Sequence, residues 1–105
     1  MGLNPLTAEE RNRAVSKATA ARARRAEAKS ALRAGSLSLD ELFRQADEDE
    51  ALARLKVTEL LESLHGIGPV RSLAILEQLG IAVSRRLRGL GIHQRRALID
   101  FLRAD

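Results

Sequence analysis

The stretch that decides the fold is LHGIGPVR, residues 64–71, which lies between two apolar segments with helical spacing. Glycine accepts backbone angles that other residues resist, so Gly66 and Gly68, only one residue apart, predict a tight hairpin. Pro69 suits the first position of a new helix, where a missing amide hydrogen costs nothing. The exposed amides of such a helix start, together with the helix dipole, predict a site for an anion such as a phosphate.

The composition is basic, with 18 lysines and arginines against 14 aspartates and glutamates in 105 residues. Only three of the cations are lysines, and the planar guanidinium of arginine favours bidentate contacts with phosphate. Residues 1–34 carry eight cations and three anions, residues 35–64 three cations and eight anions, and residues 65–105 seven cations and three anions. Two basic ends around an acidic middle predict a polyanionic partner.

Several classes of protein are disfavoured by composition. The sequence has no cysteine, which excludes disulfides and thiolate metal sites. No apolar run approaches the roughly 20 residues that cross a bilayer, and none resembles a signal peptide at the start. We therefore expect a soluble, cytoplasmic protein with no membrane partner. We divide it into a basic helical arm, residues 1–35, and a helical domain, residues 36–105.

The arm is predicted to be one long helix. Residues 8–34 are rich in alanine and arginine and contain neither glycine nor proline. Thr7 and Glu10 form a capping-box pattern at its start, and Gly35 suits its end. Val15 and Leu32 are its only large apolar residues, so most of this helix is expected to be exposed.

Three cations of the arm, Arg22, Arg25 and Lys29, fall at helical spacing on one face with few acids nearby in the sequence. Such a charge run is often a solvated helix face. Because the flanking acids are few, contact with phosphates is an equally good interpretation. The sequence leaves both interpretations open.

A second capping box, Ser38 with Glu41, predicts a short helix over residues 39–46. The acidic run at residues 47–50 could be considered as a metal site, but adjacent acids do not share a helix face and no histidine accompanies them. A helix start capped by Asp49 is the favoured interpretation.

The rest of the chain is predicted to be helical, because no stretch alternates polar and apolar residues with a period of two. Residues 51–56 and 58–64 form two short helices or one kinked helix, residues 69–79 a helix ended by Gly80, and residues 93–102 the last helix. The predicted core-facing residues of these segments are Leu52, Leu55, Leu60, Leu61, Leu64, Val70, Leu73, Ala74, Leu76, Ala97, Leu98 and Phe101.

A second turn, SRRLRGLG at residues 84–91, places three arginines within four residues. Ser84 is the candidate N-cap of a short helical turn over residues 85–88, and Leu87 is its candidate anchor. The alternative is a surface cluster held by carboxylates, but the sequence has no acid between Val83 and Ile99. We therefore expect Arg85, Arg86 and Arg88 to contact nucleic acid.

The first hairpin resembles the helix-hairpin-helix DNA-binding motif, Leu-Pro-Gly-(Ile/Val)-Gly followed by a small and an aliphatic residue. The residues that match are Leu64, Gly66, Ile67, Gly68, Ser72 and Ile75, whereas His65 stands where the motif usually has proline. The resemblance implies that the amides of Gly66 and Gly68 grip a phosphate beside Val70. A simple packing turn between two helices is the alternative.

Residues 57–101, with the basic helix ahead of them, look like the actinobacterial integration host factor family. The matching words are LESL at 61–64, the hairpin, LGI at 79–81 and SRRLRGLG at 84–91. The resemblance implies a small, monomeric, all-α protein with a helix-two-turns-helix core that binds duplex DNA with little sequence preference, bends it and organises the nucleoid. The family often has lysine where Pro69 stands, and the retained Arg71 would compensate.

The hairpin, the second turn and the arm together give the expected DNA-binding residues. Contact is expected with the DNA backbone and with a narrowed minor groove, which favours arginine. No cofactor, metal or catalytic residue is expected. The predicted set is Gly66, Gly68, Val70, Arg71, Arg85, Arg86, Arg88, Gly89, Arg22, Arg25 and Lys29.

Three other functions are alternatives to duplex DNA binding. The same helix-two-turns-helix pattern resembles a small-subunit ribosomal protein, which makes binding of structured RNA the alternative. Stacking on single strands is disfavoured because Phe43 and Phe101 are the only aromatic residues. Catalysis is disfavoured because His65 and His93 are isolated and no nucleophile stands with a base.

Overall fold

The computed structural model describes residues 7–104, and this part of the chain consists of helices joined by short turns and extended connections. The helices are α1 (Ala8–Ala34), α2 (Leu39–Ala46), α3 (Glu50–Ala53), α4 (Val57–Glu62), α5 (Pro69–Leu79) and α6 (Ile92–Ala104), with a single 3-10 turn at Leu87–Gly89. Within the described residues, extended pairing is limited to one antiparallel bridge between Lys56 and Arg86. The predicted all-α fold is confirmed. Residues 1–6 of the predicted arm lie outside the described range.

Helix ends are set by the local signals that the sequence contains. Thr7 and Ser38 each accept a hydrogen bond from the backbone amide three residues on, at 3.0 and 3.1 Å. Asp49 accepts from the amides two and three residues on, at 2.9 and 3.4 Å. Gly35 and Gly80 end α1 and α5 with left-handed φ angles of 81° and 69°. These five predicted caps are confirmed, because each involves only residues within four positions.

The core lies where α2 to α6 meet the C-terminal end of α1. Its fully buried large side chains are Leu42, Leu52, Leu55, Val57, Leu60, Leu61, Leu76, Leu87 and Leu98. From α1, Ala28 and Leu32 reach this core, whereas every residue from 7 to 20 is exposed. The long helix is therefore half docked and half projecting, as expected from its sparse apolar residues. The division of the chain at residue 35 stays a prediction.

The buried face of α5 differs from the prediction. Val70 is 83% exposed, Leu73 is 46% exposed and Ala74 is also exposed, so placing these three in the core was wrong. The helix instead buries a face with spacing i, i+3 and i+4 against α4 and α6, formed by Ser72, Ile75 and Leu76. The hydrophobic pattern alone permitted either rotation, and the packing of α4 and α6 selected one.

A cluster around Arg95 joins α6 to α2. Its guanidinium donates to both carboxylate oxygens of Asp47, at 2.7 and 3.1 Å, and lies over the ring of Phe43, 5.5 Å from its centroid. Hydrogen bonding to Arg95 holds the pKa of Asp47 below its usual value. Arg95 is thereby a structural cation that ties two helices together.

Candidate nucleic-acid interface

The hairpin joins α4 to α5 and turns at Gly66, whose φ of 79° lies in the left-handed region. Gly68 is the N-cap of α5, and Pro69 occupies its first turn. Ile67 is buried and fixes the hairpin against the core. Within residues 7–104, the backbone amides of Gly66, Gly68 and Val70 have no hydrogen-bond acceptor. The hairpin thus presents free amides at the start of a helix, as an anion site requires.

The second turn is built differently, because the chain before it is extended and pairs with the α3–α4 connection. The amide of Leu87 donates to the carbonyl of Leu55 at 2.9 Å, and the amide of Val57 donates to the carbonyl of Arg85 at 3.0 Å. Leu87 is fully buried and anchors the turn as predicted. We call residues 84–91 the arginine turn.

Ser84 does not cap the arginine turn, so that part of the prediction was wrong. The 3-10 turn starts three residues later, with Arg86 as its N-cap and no side-chain cap. The hydroxyl of Ser84 is exposed and makes no hydrogen bond within the described range. Backbone pairing with residues 55–57 holds this segment in place of a side-chain cap, and that pairing has no signal in the local sequence.

The three arginines of the turn have different surroundings. Arg85 donates to the carbonyl of Gly89 at 2.7 Å, and Arg86 donates to the carbonyl of Arg54 at 2.6 Å. Arg88 is exposed and makes neither a hydrogen bond nor an ion pair with the part of the chain that the structure describes. Over the same range, no carboxylate pairs with any of the three, so their charge is not neutralised by the protein.

Arginines of the arm and of the arginine turn line one groove of about 880 Å³ between α1, α3 and the turn. The predicted contact residues Arg22, Arg25, Arg86 and Arg88 all face it. Four further cations that were not predicted as contact residues, Lys17, Arg24, Arg54 and Lys56, also lie there. The full charged lining is Lys17, Arg22, Arg24, Arg25, Arg54, Lys56, Arg86, Arg88, Asp49, Glu50 and Glu59. We call this surface the basic groove.

Each of the three acids of the basic groove already has a cationic partner. Asp49 pairs with Arg24 at 2.9 Å, Glu50 with Arg54 at 2.8 Å, and Glu59 with a lysine of α1 at 3.7 Å. Six cations remain without a carboxylate in the described residues: Lys17, Arg22, Arg25, Lys56, Arg86 and Arg88. The groove therefore carries an excess of positive charge that only an outside anion can balance.

Arg24 was not selected from the sequence, yet it fixes the arm against the domain. Its guanidinium donates to Asp49 at 2.9 Å and to Gln45 at 2.9 Å. Beside it, Arg25 donates to the carbonyl of Ala51 at 3.3 Å. These contacts join residues more than 20 positions apart, so the sequence offered no signal for them.

Lys29 does not share the surroundings of Arg22 and Arg25. It pairs with Glu59 of α4 and lies in a separate small groove that also contains Glu62. Few acids lie near Lys29 in the sequence, but α4 brings Glu59 to it in space.

The hairpin belongs to another surface. Gly66 and Arg71 line an open groove of about 530 Å³ whose residues include none of the basic groove. Eight of the predicted contact residues are thus divided between two surfaces, the hairpin and the basic groove, whereas Lys29, Arg85 and Gly89 belong to neither. Among residues 7–104, no group of histidine, aspartate and glutamate side chains is arranged to hold a metal ion, and no helix is long and apolar enough to span a membrane.

Comparison with known proteins places this architecture in a class. Residues 32–101 match the S13-like H2TH domain family, so the part of the chain that carries both turns is a helix-two-turns-helix domain. This agrees with the hairpin, the arginine turn and the helices that the structure places around them.

Similarity to individual proteins identifies the family within this class. Integration host factor of Streptomyces coelicolor is 50% identical over 94 residues, which cover 90% of this chain and 88% of that protein. Integration host factor of Mycobacterium tuberculosis is 46% identical over 100 residues, 95% of each chain. The chain belongs to the actinobacterial integration host factor family, which confirms the resemblance found in the sequence.

A solved structure shares the fold as well. It is described as sIHF bound to an 8bp palindromic DNA, and it matches with a TM-score of 0.79 and 46% sequence identity. The match covers 82% of this chain and 97% of that one. The helical core and its two turns are therefore common to both proteins.

Proposed function

We propose that this protein binds duplex DNA with little sequence preference and bends it, as a nucleoid-associated protein. The observation that carries the proposal is the basic groove, where six cations lack a carboxylate while every acid is paired. Unpaired arginines and lysines on one surface favour a sequence-independent contact with the phosphate backbone. The DNA bound to the related sIHF supports the same partner.

The two surfaces have separate roles in this proposal. The free amides of Gly66, Gly68 and Val70 hold one phosphate, with Arg71 beside them. The basic groove follows the backbone at a second place through Arg86, Arg88 and the cations of the arm. In this proposal a duplex that contacts both surfaces is curved, and the energy of the added contacts offsets the cost of bending.

We propose that the protein acts as a monomer in the cytoplasm, on the nucleoid, and that it compacts DNA and influences recombination and transcription without catalysis or a cofactor. An architectural role needs only charge and shape, and both are supplied by the side chains of the basic groove and the amides of the hairpin.

Structured RNA is the second candidate partner, and the match to an S13-like domain is the observation that favours it. Double-stranded RNA is recognised largely through shape and phosphate contacts, which a basic groove also provides. The affinity for structured RNA therefore has to be measured beside the affinity for duplex DNA.

The test is the affinity for a mixed-sequence 20-bp duplex as a function of salt, with single-stranded DNA and an RNA hairpin as competitors. With about five or six phosphates neutralised, the slope of log K against log salt is expected near −5. A slope near zero would exclude the backbone contact, and tighter binding of the RNA hairpin would favour the second candidate. Circularly permuted probes report the bend.

Variants assign the binding to the basic groove. Arg86→Ala with Arg88→Ala is expected to reduce the magnitude of the salt slope by about 2, because two cations that displace counterions from the DNA are lost. Arg44→Ala is the matched control, since Arg44 is an exposed arginine that pairs with Glu41 and Glu48 and lies outside the groove. An equal loss in the control would contradict the assignment.

A further inference from the structure

The arginines of the arginine turn are not equivalent, and their contacts assign them different roles. Resting on the proposed binding of duplex DNA, we propose that Arg88 is the arginine that enters the minor groove and gives the protein a preference for the narrow groove of A·T tracts. Arg86 contacts phosphate. Arg85 is a positioning residue that holds the turn from which Arg88 projects.

Arg88 combines a fixed backbone with a free side chain. Its neighbour Leu87 is fully buried and Leu90 is 4% exposed, so the 3-10 turn between them is anchored in the core at both ends. The guanidinium of Arg88 itself has no partner in the described residues. Because the backbone at Arg88 is already fixed by the core, inserting its guanidinium into a narrow groove costs little additional backbone entropy.

Arg86 is unsuited to insertion because it is tied to the wall of the basic groove. Its Nη1 donates to the carbonyl of Arg54 at 2.6 Å, 32 positions away in the chain. Arg86 also lines the basic groove, where the N–H groups not bonded to Arg54 can contact a phosphate. Moving Arg86 into a DNA groove would break this bond.

Arg85 faces the turn itself. Its Nη1 donates to the carbonyl of Gly89 at 2.7 Å, it is only partly exposed, and it does not line the basic groove. A Cβ atom at Gly89 would stand 2.8 Å from Cδ of Arg85, closer than carbon atoms approach. An alanine at position 89 would therefore push the side chain of Arg85 aside and disturb its contact with Gly89, which spans residues 86–88.

A narrow minor groove distinguishes arginine from lysine. A-tracts have a narrow minor groove with an enhanced negative potential. Arginine enters such a groove more readily than lysine, because its guanidinium is more weakly hydrated than an ammonium group. At a phosphate on the outside of the duplex, arginine and lysine contribute more similarly to DNA affinity. An Arg→Lys exchange therefore weakens a minor-groove contact more than it weakens a phosphate contact.

The experiment compares affinities for two 20-bp duplexes of equal length, one with a central A-tract and one rich in G·C, at one salt concentration. The unmodified protein is expected to prefer the A-tract about fivefold. Arg88→Lys is expected to remove this preference, so that the affinity for the A-tract duplex falls to that for the G·C-rich duplex. Arg86→Lys is the matched control and is expected to keep the preference.

The positioning role of Arg85 is tested by a double-mutant cycle. Arg85→Ala and Gly89→Ala are each expected to reduce the A-tract preference to about twofold or less, although Arg88 is intact. The double variant is expected to lose no more than either single variant, because both act on one contact. A merely structural defect would lower both affinities together and leave their ratio unchanged. Circular dichroism confirms that each variant folds.

The outcomes separate this inference from the proposed function. If the unmodified protein binds both duplexes equally with a salt slope near −5, the proposed function stands and the role of Arg88 is overturned. If it binds neither duplex, both are overturned. If Arg86→Lys loses the preference as fully as Arg88→Lys does, the division of roles among the arginines is wrong. Additive losses in the cycle would overturn the positioning role of Arg85.

Discussion

The hairpin and the arginine turn both contain glycines and both lead into a helix, yet they present different chemistry. The hairpin offers backbone amides at the start of α5, whereas the arginine turn offers side chains ahead of α6. Gly66 shapes the hairpin through its own left-handed φ of 79°. The arginine turn contains no residue with a left-handed φ and is held by pairing with residues 55–57 and by buried Leu87.

This difference shows two ways in which a small helical protein can build an anion site. The hairpin depends on local backbone geometry, so substitutions there act mainly on the turn itself. The arginine turn depends on tertiary contacts, so substitutions in the core displace it. Substitutions in and near the two turns test whether the hairpin depends on local geometry and the arginine turn on tertiary contacts.

The largest effect is expected for Leu87→Ala, which removes the buried anchor of the arginine turn. Truncating a fully buried leucine leaves a cavity, and such changes cost about 2–5 kcal/mol. The free energy of unfolding in urea measures the loss. Leu73→Ala on the exposed face of α5 is the control and is expected to cost less than about 1 kcal/mol. Equal losses would contradict the assignment of Leu87 as an anchor.

The two hairpin glycines are expected to respond differently to alanine. Gly66→Ala forces an L-residue into the left-handed region, which costs about 1–2 kcal/mol of stability. Gly68 has extended angles and open space around its Cβ position, so Gly68→Ala is expected to leave stability nearly unchanged. Its methyl group would instead obstruct a phosphate at the free amides, so DNA affinity should fall.

Thermal unfolding and duplex affinity, measured on both glycine variants, separate these effects. A stable Gly68→Ala protein with full DNA affinity would remove the hairpin as a phosphate site while leaving the basic groove in place. A Gly66→Ala protein as stable as the unmodified one would argue against the left-handed turn.

A smaller effect is expected beneath the hairpin at Ser72, which is fully buried and whose hydroxyl has no hydrogen-bond partner among residues 7–104. Because burying a hydroxyl without a hydrogen bond is unfavourable, Ser72→Ala is expected to raise the free energy of unfolding by about 1 kcal/mol. DNA affinity should not change. Ser72→Val is the opposing control, since a larger side chain overpacks the contact of α5 with its neighbours. A clear destabilisation by Ser72→Ala would show that the hydroxyl has a partner.

The smallest effect concerns Arg95, an arginine that contrasts with the arginine turn because it is paired. Hydrogen bonding to Arg95 lowers the pKa of Asp47 in the folded protein. A lowered carboxyl pKa contributes stability above the unfolded value near 4 and loses it as the pH falls through the folded value. The difference in melting temperature between the unmodified protein and Asp47→Asn should therefore be full at pH 7, begin to shrink near pH 4 and disappear only as the pH falls through the lower pKa of folded Asp47. A difference that does not vary with pH would contradict the ion pair.

Local signals predicted most of the secondary structure. The bounds of α1, α2 and α5 agree with the sequence prediction, because Thr7, Ser38 and the glycines that end α1 and α5 act within one helical turn. The acidic run around Asp49 was also interpreted correctly as a helix start. The choice between two short helices and one kinked helix was left open, and the structure has two, α3 and α4.

Three site features had no such local signal. The rotation of α5 leaves Val70 exposed, the acids of α4 neutralise Lys29, and the α3–α4 connection replaces Ser84 as the support of the arginine turn. Each depends on residues that are far apart along the chain. Hydrophobic spacing cannot identify the partner of a helix face, and a count of neighbouring charges cannot find an acid on another helix.

The sequence by itself determined the helices, the hairpin at residues 64–71, the charge pattern and the family. These follow from backbone preferences, capping and residue identity, all of which act over a few positions. Only the tertiary structure decided that the arm and the arginine turn share one groove, that its acids are already paired, and that Arg85, Arg86 and Arg88 differ. Charge becomes a binding surface only when packing fixes which cations are paired within the protein and which remain free.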